Sequence, residues 1–186
     1  MANRISNDQL DMILEKHKLW LNGEKEGEKA DLSGINLSYN ELPQVNLQWA
    51  NLSNTDLSYA SVVKGNFSHA NMIGAICCHT NFFMADLRYA NLSCADLSKA
   101  KLESTDLLGA ILNGTDLRGA YLDGSCFPFT YGIADVIVDE KTARLIAAYF
   151  CSLRCDSREF RKARADILEF AKRSDKAKSL GLIDYY

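Results

Sequence analysis

A chain of 186 residues with 47% hydrophobic side chains has room for one compact unit with a buried core, and a formal net charge of −3 lacks the basic excess of a nucleic-acid binder. Charges are scattered throughout residues 1–30, which excludes the continuous apolar segment of a secretory leader, and no run of about 18 apolar residues exists to cross a bilayer. A cytoplasmic protein without a membrane span is the expectation.

Ser6-Asn7-Asp8-Gln9 has the form of a capping box, in which a Ser side chain and a Gln three residues later satisfy each other's backbone N–H groups. It predicts a helix with apolar positions at Leu10, Ile13, Leu14, Trp20 and Leu21, stopping near Gly23. Residues 22–29 are charged and punctuated by Gly, and read as a connector.

From residue 30 a period of five takes over. Every fifth position from Leu32 to Phe127 is apolar, twenty in succession without an insertion. Most are Leu, with Val62, Phe67, Met72, Cys77 and Phe82 in the middle. Two residues before each of these centres stands a small side chain, except at Ile35, Asn40 and Val45. Between the two sits most often Asp or Asn. Five is neither the 3.6 of a helix nor the 2 of a strand. Positions two apart in extended backbone point the same way, so the small residue and the centre face inward and the Asp or Asn faces out. The chain must then turn so that the next triplet faces the same axis. Each five residues are one short flat side and one corner, and Gly74, Gly109, Gly114, Gly119 and Gly124 fall at the corner.

The number of sides follows from what would stack. With residues 20 apart in register, Tyr39, Tyr59 and His79 form one outward column, Trp49, His69 and Tyr89 another, and Pro43, Val63 and Phe83 a third. A spacing of 15 mixes unlike residues, for example Trp49, Lys64, His79 and Cys94. Stacked ladders favour like with like, so four sides and about five coils are predicted. The run A-[DN]-L-x-x, seen as ADLRY, ANLSC, ADLSK and TDLRG, resembles the pentapeptide-repeat family across residues 30–129. The resemblance implies an all-β solenoid, a right-handed quadrilateral β-helix; the handedness comes from the resemblance alone.

After residue 129 the five-fold pattern ends. Tyr131 to Val138 reads as one further extended piece and Asp139 as the N-cap of a helix carrying Leu145, Ile146, Tyr149, Phe150 and Leu153 on one face. A second helix is expected from Asp156 or Ser157, with Phe160, Ala163, Ile167, Phe170 and Ala171 on its apolar face and Gly181 at its end. A solenoid exposes its core at both openings unless something covers them. The expected organisation is therefore an N-terminal capping helix and connector (1–29), the β-helix (30–129) and a C-terminal helical cap or oligomerisation segment (130–186).

No catalytic, cofactor-binding or metal-binding residue is assigned. The six cysteines match no zinc or redox spacing and read as reduced structural thiols. His69 and His79 lie in the aromatic columns with no carboxylate or nucleophile set beside them by the repeat. An outward apolar cluster of Pro43, Val63, Phe83 and Met84, with Ile73 and Cys78 around adjoining corners, is the candidate surface for a protein partner of unknown identity. Leu145, Tyr149, Phe150, Phe160, Ile167 and Phe170 are the candidate oligomer contacts, since dimers built through C-terminal segments are familiar in the family, and a homodimer or larger assembly is expected. Asp56, Asp96 and Asp116 form one outward acidic column, Asp86 and Asp106 another. Some members of the family that protect DNA gyrase are believed to imitate duplex phosphates with such rows. The same slot also holds Asn36, Asn46, Asn51, Asn66, Asn71, Asn81 and Asn91, so local hydrogen bonding explains it equally. A non-catalytic scaffold or protein-interaction module is the leading expectation, with neither direct nucleic-acid nor membrane binding; a DNA-mimic inhibitor or protector of gyrase is the alternative.

Overall fold

The computed structural model describes residues 3–126 and 136–152. The chain divides into two compact units, Met1–Ile137 and Val138–Tyr186.

The first unit is a stack of coils. Parallel bridges join residues 20 apart around the whole circuit, as in Asp31 with Asn51, Asn36 with Asp56, Glu41 with Ser61 and Asn46 with Asn66. Each coil therefore has four sides, and the predicted period holds without a break through Asp106 with Cys126. Side one is centred on Leu32, Leu52, Met72, Leu92 and Leu112. Side two is centred on Leu37, Leu57, Cys77, Leu97 and Leu117. Side three is centred on Leu42, Val62, Phe82, Leu102 and Leu122, and side four on Leu47, Phe67, Leu87 and Leu107. Backbone groups pair with the coil above and below: Leu32 N–H donates to the Asn51 carbonyl at 2.8 Å, and Asn51 N–H to the Ala30 carbonyl at 3.0 Å.

Each corner closes with a hydrogen bond from the N–H three residues past the centre to the centre carbonyl, as from Ala60 to Leu57 at 2.9 Å. The residue before that N–H has positive φ, the signature of a type II turn. Gly fills this place at Gly74 and five other corners, but Tyr39, Trp49, Lys64, His69, Met84 and Lys99 occupy it too, with φ between 57° and 67°. Left-handed backbone disfavours any residue with a Cβ and β-branched ones most. No corner from 34 to 124 carries Val, Ile, Thr or Pro.

The interior is lined by the centres and the small residues that precede them. The centres from Leu32 to Leu122 are buried, with the exception of Leu42, which is half-buried. Leu42 belongs to the first coil, which has no coil above it, and it borders a recess shared with Asn7, Leu10 and Tyr39. In the middle coils Phe67 and Phe82 meet edge to face at 5.7 Å. The small position before Phe67 is Gly65, where an added Cβ would stand 2.7 Å from the Phe67 ring, so the missing methyl makes room for the larger centre. The buried Thr hydroxyls at small positions are satisfied: Thr55 donates to the Leu32 carbonyl at 2.7 Å and Thr80 to the Leu57 carbonyl at 2.6 Å.

At the N-terminal opening, β1 (Asn3–Arg4) pairs parallel with β2 (Ile35–Asn36), extending side two by a rung. The helix α1 spans Asn7–Leu21 and opens on the capping box: Ser6 Oγ accepts from the Gln9 N–H at 3.2 Å, and Ser6 N–H donates to Gln9 Oε1 at 2.9 Å. Leu10 and His17 are its buried residues. The connector returns tightly beneath its C-terminal turn, where Glu28 N–H donates to the Lys16 carbonyl at 3.0 Å and Lys16 Nζ bonds Glu28 at 3.0 Å. At the other end Ile137 adds a last rung to side two against Asp116, at a spacing of 21.

In the second unit α2 spans Glu140–Ser152. Asp139 caps it, with Oδ1 accepting from the Thr142 N–H at 2.8 Å, and Arg144 pairs with Glu140 one turn on. The expected extended piece before Ile137 and the expected second helix lie outside the described residues.

Candidate interaction surfaces

Pro43, Val63 and Phe83 fall in one column on side three, each directly after an inward centre, and Met84 stands at the corner beside Phe83. Pro43, Phe83 and Met84 are exposed, Phe83 by 41% and Met84 by 49%, while Val63 is half-buried. The ladder holds this column in place: Phe83 N–H donates to Asn81 Oδ1 at 3.1 Å, and Lys64 N–H donates to the Phe83 carbonyl at 2.9 Å. In the same column Glu103 and Asp123 follow, so the apolar strip has a charged lower margin. Ile73 was expected around an adjoining corner. It stands on side one, opposite Phe83, because two corners rather than one separate the centres Met72 and Phe82. Cys78 lies on side two, which does adjoin.

The acidic columns are in place but are not rows of free charge. On side two Ile76 separates Asp56 from Asp96. Asp56 Oδ1 accepts from both the Ser58 N–H at 2.9 Å and the Ser58 hydroxyl at 2.6 Å, and Asp96 accepts from the Ser98 N–H at 2.9 Å. Asn66 and Asn91 make the same bonds to Ser68 and Ser93. The slot therefore selects a side-chain oxygen that closes an Asx turn rather than a negative charge. Arg118 Nε donates to Asp116 at 3.0 Å. Arg88 donates to Asp86 at 2.6 Å and lies 3.7 Å from Asp106. These guanidinium hydrogen bonds hold the Asp86 and Asp116 carboxyls below the usual carboxylate range. The pairing has a signal in the sequence: in Asp86-Leu87-Arg88 and Asp116-Leu117-Arg118 an Arg follows the slot by two, on the same outward side.

Both aromatic columns stack face to face. Tyr39 and Tyr59 have ring centroids 5.0 Å apart and Tyr59 and His79 4.6 Å. Trp49 and His69 lie 4.0 Å apart, and His69 and Tyr89 5.0 Å. The His rings are thereby covered on their stacked faces. Cys77 is buried, and burial pushes its thiol far above the ordinary range. Of the candidate oligomer contacts, Leu145 is half-buried, Tyr149 and Phe150 lie on α2, and Phe160, Ile167 and Phe170 lie outside the described residues. No group of three or more His, Cys, Asp or Glu side chains suited to a metal occurs among the described residues, and none of the described helices is long and apolar enough to cross a membrane.

A four-sided parallel solenoid, five residues to a side, with Asx turns on its faces and left-handed corners, is the architecture of one class of repeat protein. Residues 30–64, 66–93 and 90–127 match the family of pentapeptide repeats, and the chain belongs to that family, whose members form right-handed quadrilateral β-helices. Among solved structures it is similar to the pentapeptide repeat protein Rfr23 from the cyanobacterium Cyanothece 51142, with 27% identity over 56% of this chain and 60% of that one, at a TM-score of 0.37. It is similar also to HetL, a pentapeptide repeat protein involved in heterocyst differentiation regulation from the cyanobacterium Nostoc sp. strain PCC 7120, with 30% identity over 59% of this chain and 52% of that one, at a TM-score of 0.37. A trypsin-treated form of QnrB1, a plasmid-mediated fluoroquinolone resistance protein, shares 19% identity over 68% of this chain and 87% of that one, at a TM-score of 0.31. At these scores the likenesses add nothing to the family match. No curated protein matches the chain at a significant level.

Proposed function

We propose that the chain is a non-catalytic, rigid scaffold and protein-interaction module of the cytoplasm, acting as a homodimer or larger assembly. In this reading residues 1–29 cap the tube, residues 30–129 display the contact surface, and residues 130–186 carry the oligomer contacts. The observation that supports it best is the apolar strip of side three, with Phe83 and Met84 exposed beside half-buried Val63, held on backbone ladders above and below. Contiguous exposed apolar residues mark contact sites, and Phe83 and Met84 adjoin each other, whereas Ile73, Ile76 and Leu108 are exposed on three different sides. Among the groups on the faces, Asp56 is engaged by Ser58, Asp86 and Asp116 by Arg88 and Arg118, and the rings of His69 and His79 by stacking.

The alternative, a DNA mimic acting on gyrase, asks for continuous negative rows. Ile76 breaks one row, and Arg88 and Arg118 neutralise members of both. Supercoiling by gyrase is expected to continue at micromolar concentrations of the protein, and salt-sensitive inhibition would restore that reading.

The contact surface is tested by capturing binding proteins with the full chain and with two charge substitutions. Phe83→Glu is expected to weaken the captured partner by about 2 kcal/mol, some thirtyfold, as loss of an interface anchor does. Ile73→Glu, on the opposite side, is expected to leave capture unchanged. Equal capture by both variants, with unchanged melting curves, would contradict the assignment.

A further inference from the structure

His17 joins α1 to the first coil. Its ring is fully buried, and its Nδ1 accepts from the N–H of Ala30, the first residue of the repeats, at 3.1 Å. An acceptor at Nδ1 places the proton of the neutral ring on Nε2, which is buried and makes no close hydrogen bond, so that the ring is left with the weaker approach of the Gln48 backbone carbonyl. Trp20 stacks on the ring at 5.6 Å, with planes 11° apart. The imidazole is thus a neutral plug at the point where the helix, the connector and the first coil meet.

We propose that His17 is an acid-sensitive latch, whose protonation at Nδ1 turns the acceptor for Ala30 into a donor and lifts α1 and its connector from the mouth of the solenoid. The charges around the ring favour release. Lys29, from the connector, faces it and repels an imidazolium. The neighbouring carboxylates among the described residues are engaged elsewhere: Glu28 by Lys16, Glu15 by Lys18, and Asp31 by Ser33 and Asn51. From the first coil the ring meets the Ala30 N–H and the Gln48 carbonyl, and only the latter favours the charged form. Burial, the largest influence, holds the His17 pKa below the ordinary 6.5. The open state binds a proton at the ordinary value and the closed state less readily. The closed lid is therefore favoured in full above about pH 6.5 and loses stability as the pH falls below it, levelling once the closed form is itself protonated.

The test is amide exchange at Ala30 in the full chain between pH 7.5 and 5, corrected for intrinsic exchange. Opening is expected to rise toward about tenfold per pH unit below 6.5, the limit for a single proton. Trp20 fluorescence in a Trp49→Phe background is expected to follow the same curve. His17→Asn, whose Oδ1 can accept from Ala30 but does not titrate in this range, is expected to abolish the dependence. A flat profile for the unaltered chain, or the same profile in both, would overturn the latch. Should His17→Asn fail to seat the lid at any pH, the imidazole resonances of the unaltered chain decide. Titration of His17 below 6.5 together with Ala30 opening supports the latch, and titration at or above 6.5 with a protected Ala30 overturns it.

Discussion

Leu97→Lys is expected to abolish the cooperative thermal transition of the coils around it. Leu97 is a centre on side two, fully buried between Cys77 and Leu117 in its column. A Lys there must bury its ammonium in an apolar interior or drag the rung apart. Asp96, the nearest carboxylate in sequence, points outward and bonds to Ser98. An unpaired buried charge costs at least about 4 kcal/mol, and more before the structure relaxes. In a solenoid each coil leans only on its neighbours, so the loss spreads to adjacent coils rather than stopping at one. Circular dichroism during heating measures it. Leu97→Met, close in volume, is expected to keep the transition, and a Lys variant that melts like the unaltered chain would count against the inward assignment.

Gly27→Ala is the second large effect, and it is local. A Cβ at Gly27 would stand 2.1 Å from the Trp20 nitrogen, 2.4 Å from its Cα and 2.5 Å from the Leu19 carbonyl carbon. All three are backbone atoms, so no side-chain rotation relieves the overlap. Either the connector or the last turn of α1 must move, breaking the bond from Glu28 N–H to the Lys16 carbonyl. The expected cost to the seated lid is at least about 3 kcal/mol, at the upper end for overpacking. Ala30 exchange should become fast at neutral pH while the circular dichroism of the coils changes little. Protection at Ala30 equal to that of the unaltered chain would show that the lid adapts.

The four-sided coil was legible because its cause is repeated. One inward Leu at each fifth position is weak information, but twenty in register leave a single way to stack, and the columns Tyr39–Tyr59–His79 and Trp49–His69–Tyr89 select the spacing of 20. The acidic columns were legible as positions and not as charge. Which partner each Asp takes depends on the residue two further on, Ser at Asp56 and Arg at Asp86, and a column drawn from the slot alone omits it. Ile73 is ten residues from Phe83, which is two corners of the coil, so closeness in sequence does not put the two on adjoining sides. His17 does not belong to the apolar pattern of α1, although it lies seven residues after Leu10 on the same helical face. Its role comes from a hydrogen bond across thirteen residues to Ala30, and no local pattern announces that contact.

The tube itself is tested most directly by a cross-link that counts the residues in one turn. Cys78 lies one coil from position 58, where the Tyr59 N–H donates to the Cys78 carbonyl at 3.0 Å. Parallel rungs lie about 4.8 Å apart, within disulfide reach. In chains with Cys94, Cys126, Cys151 and Cys155 replaced by Ser, mild oxidation followed by peptide mass analysis should reveal a disulfide between Cys78 and Ser58→Cys. It should reveal none between Cys78 and Val63→Cys, fifteen residues away. A bond at 63 and none at 58 would mean a three-sided coil and would contradict every surface assigned to the four-sided one.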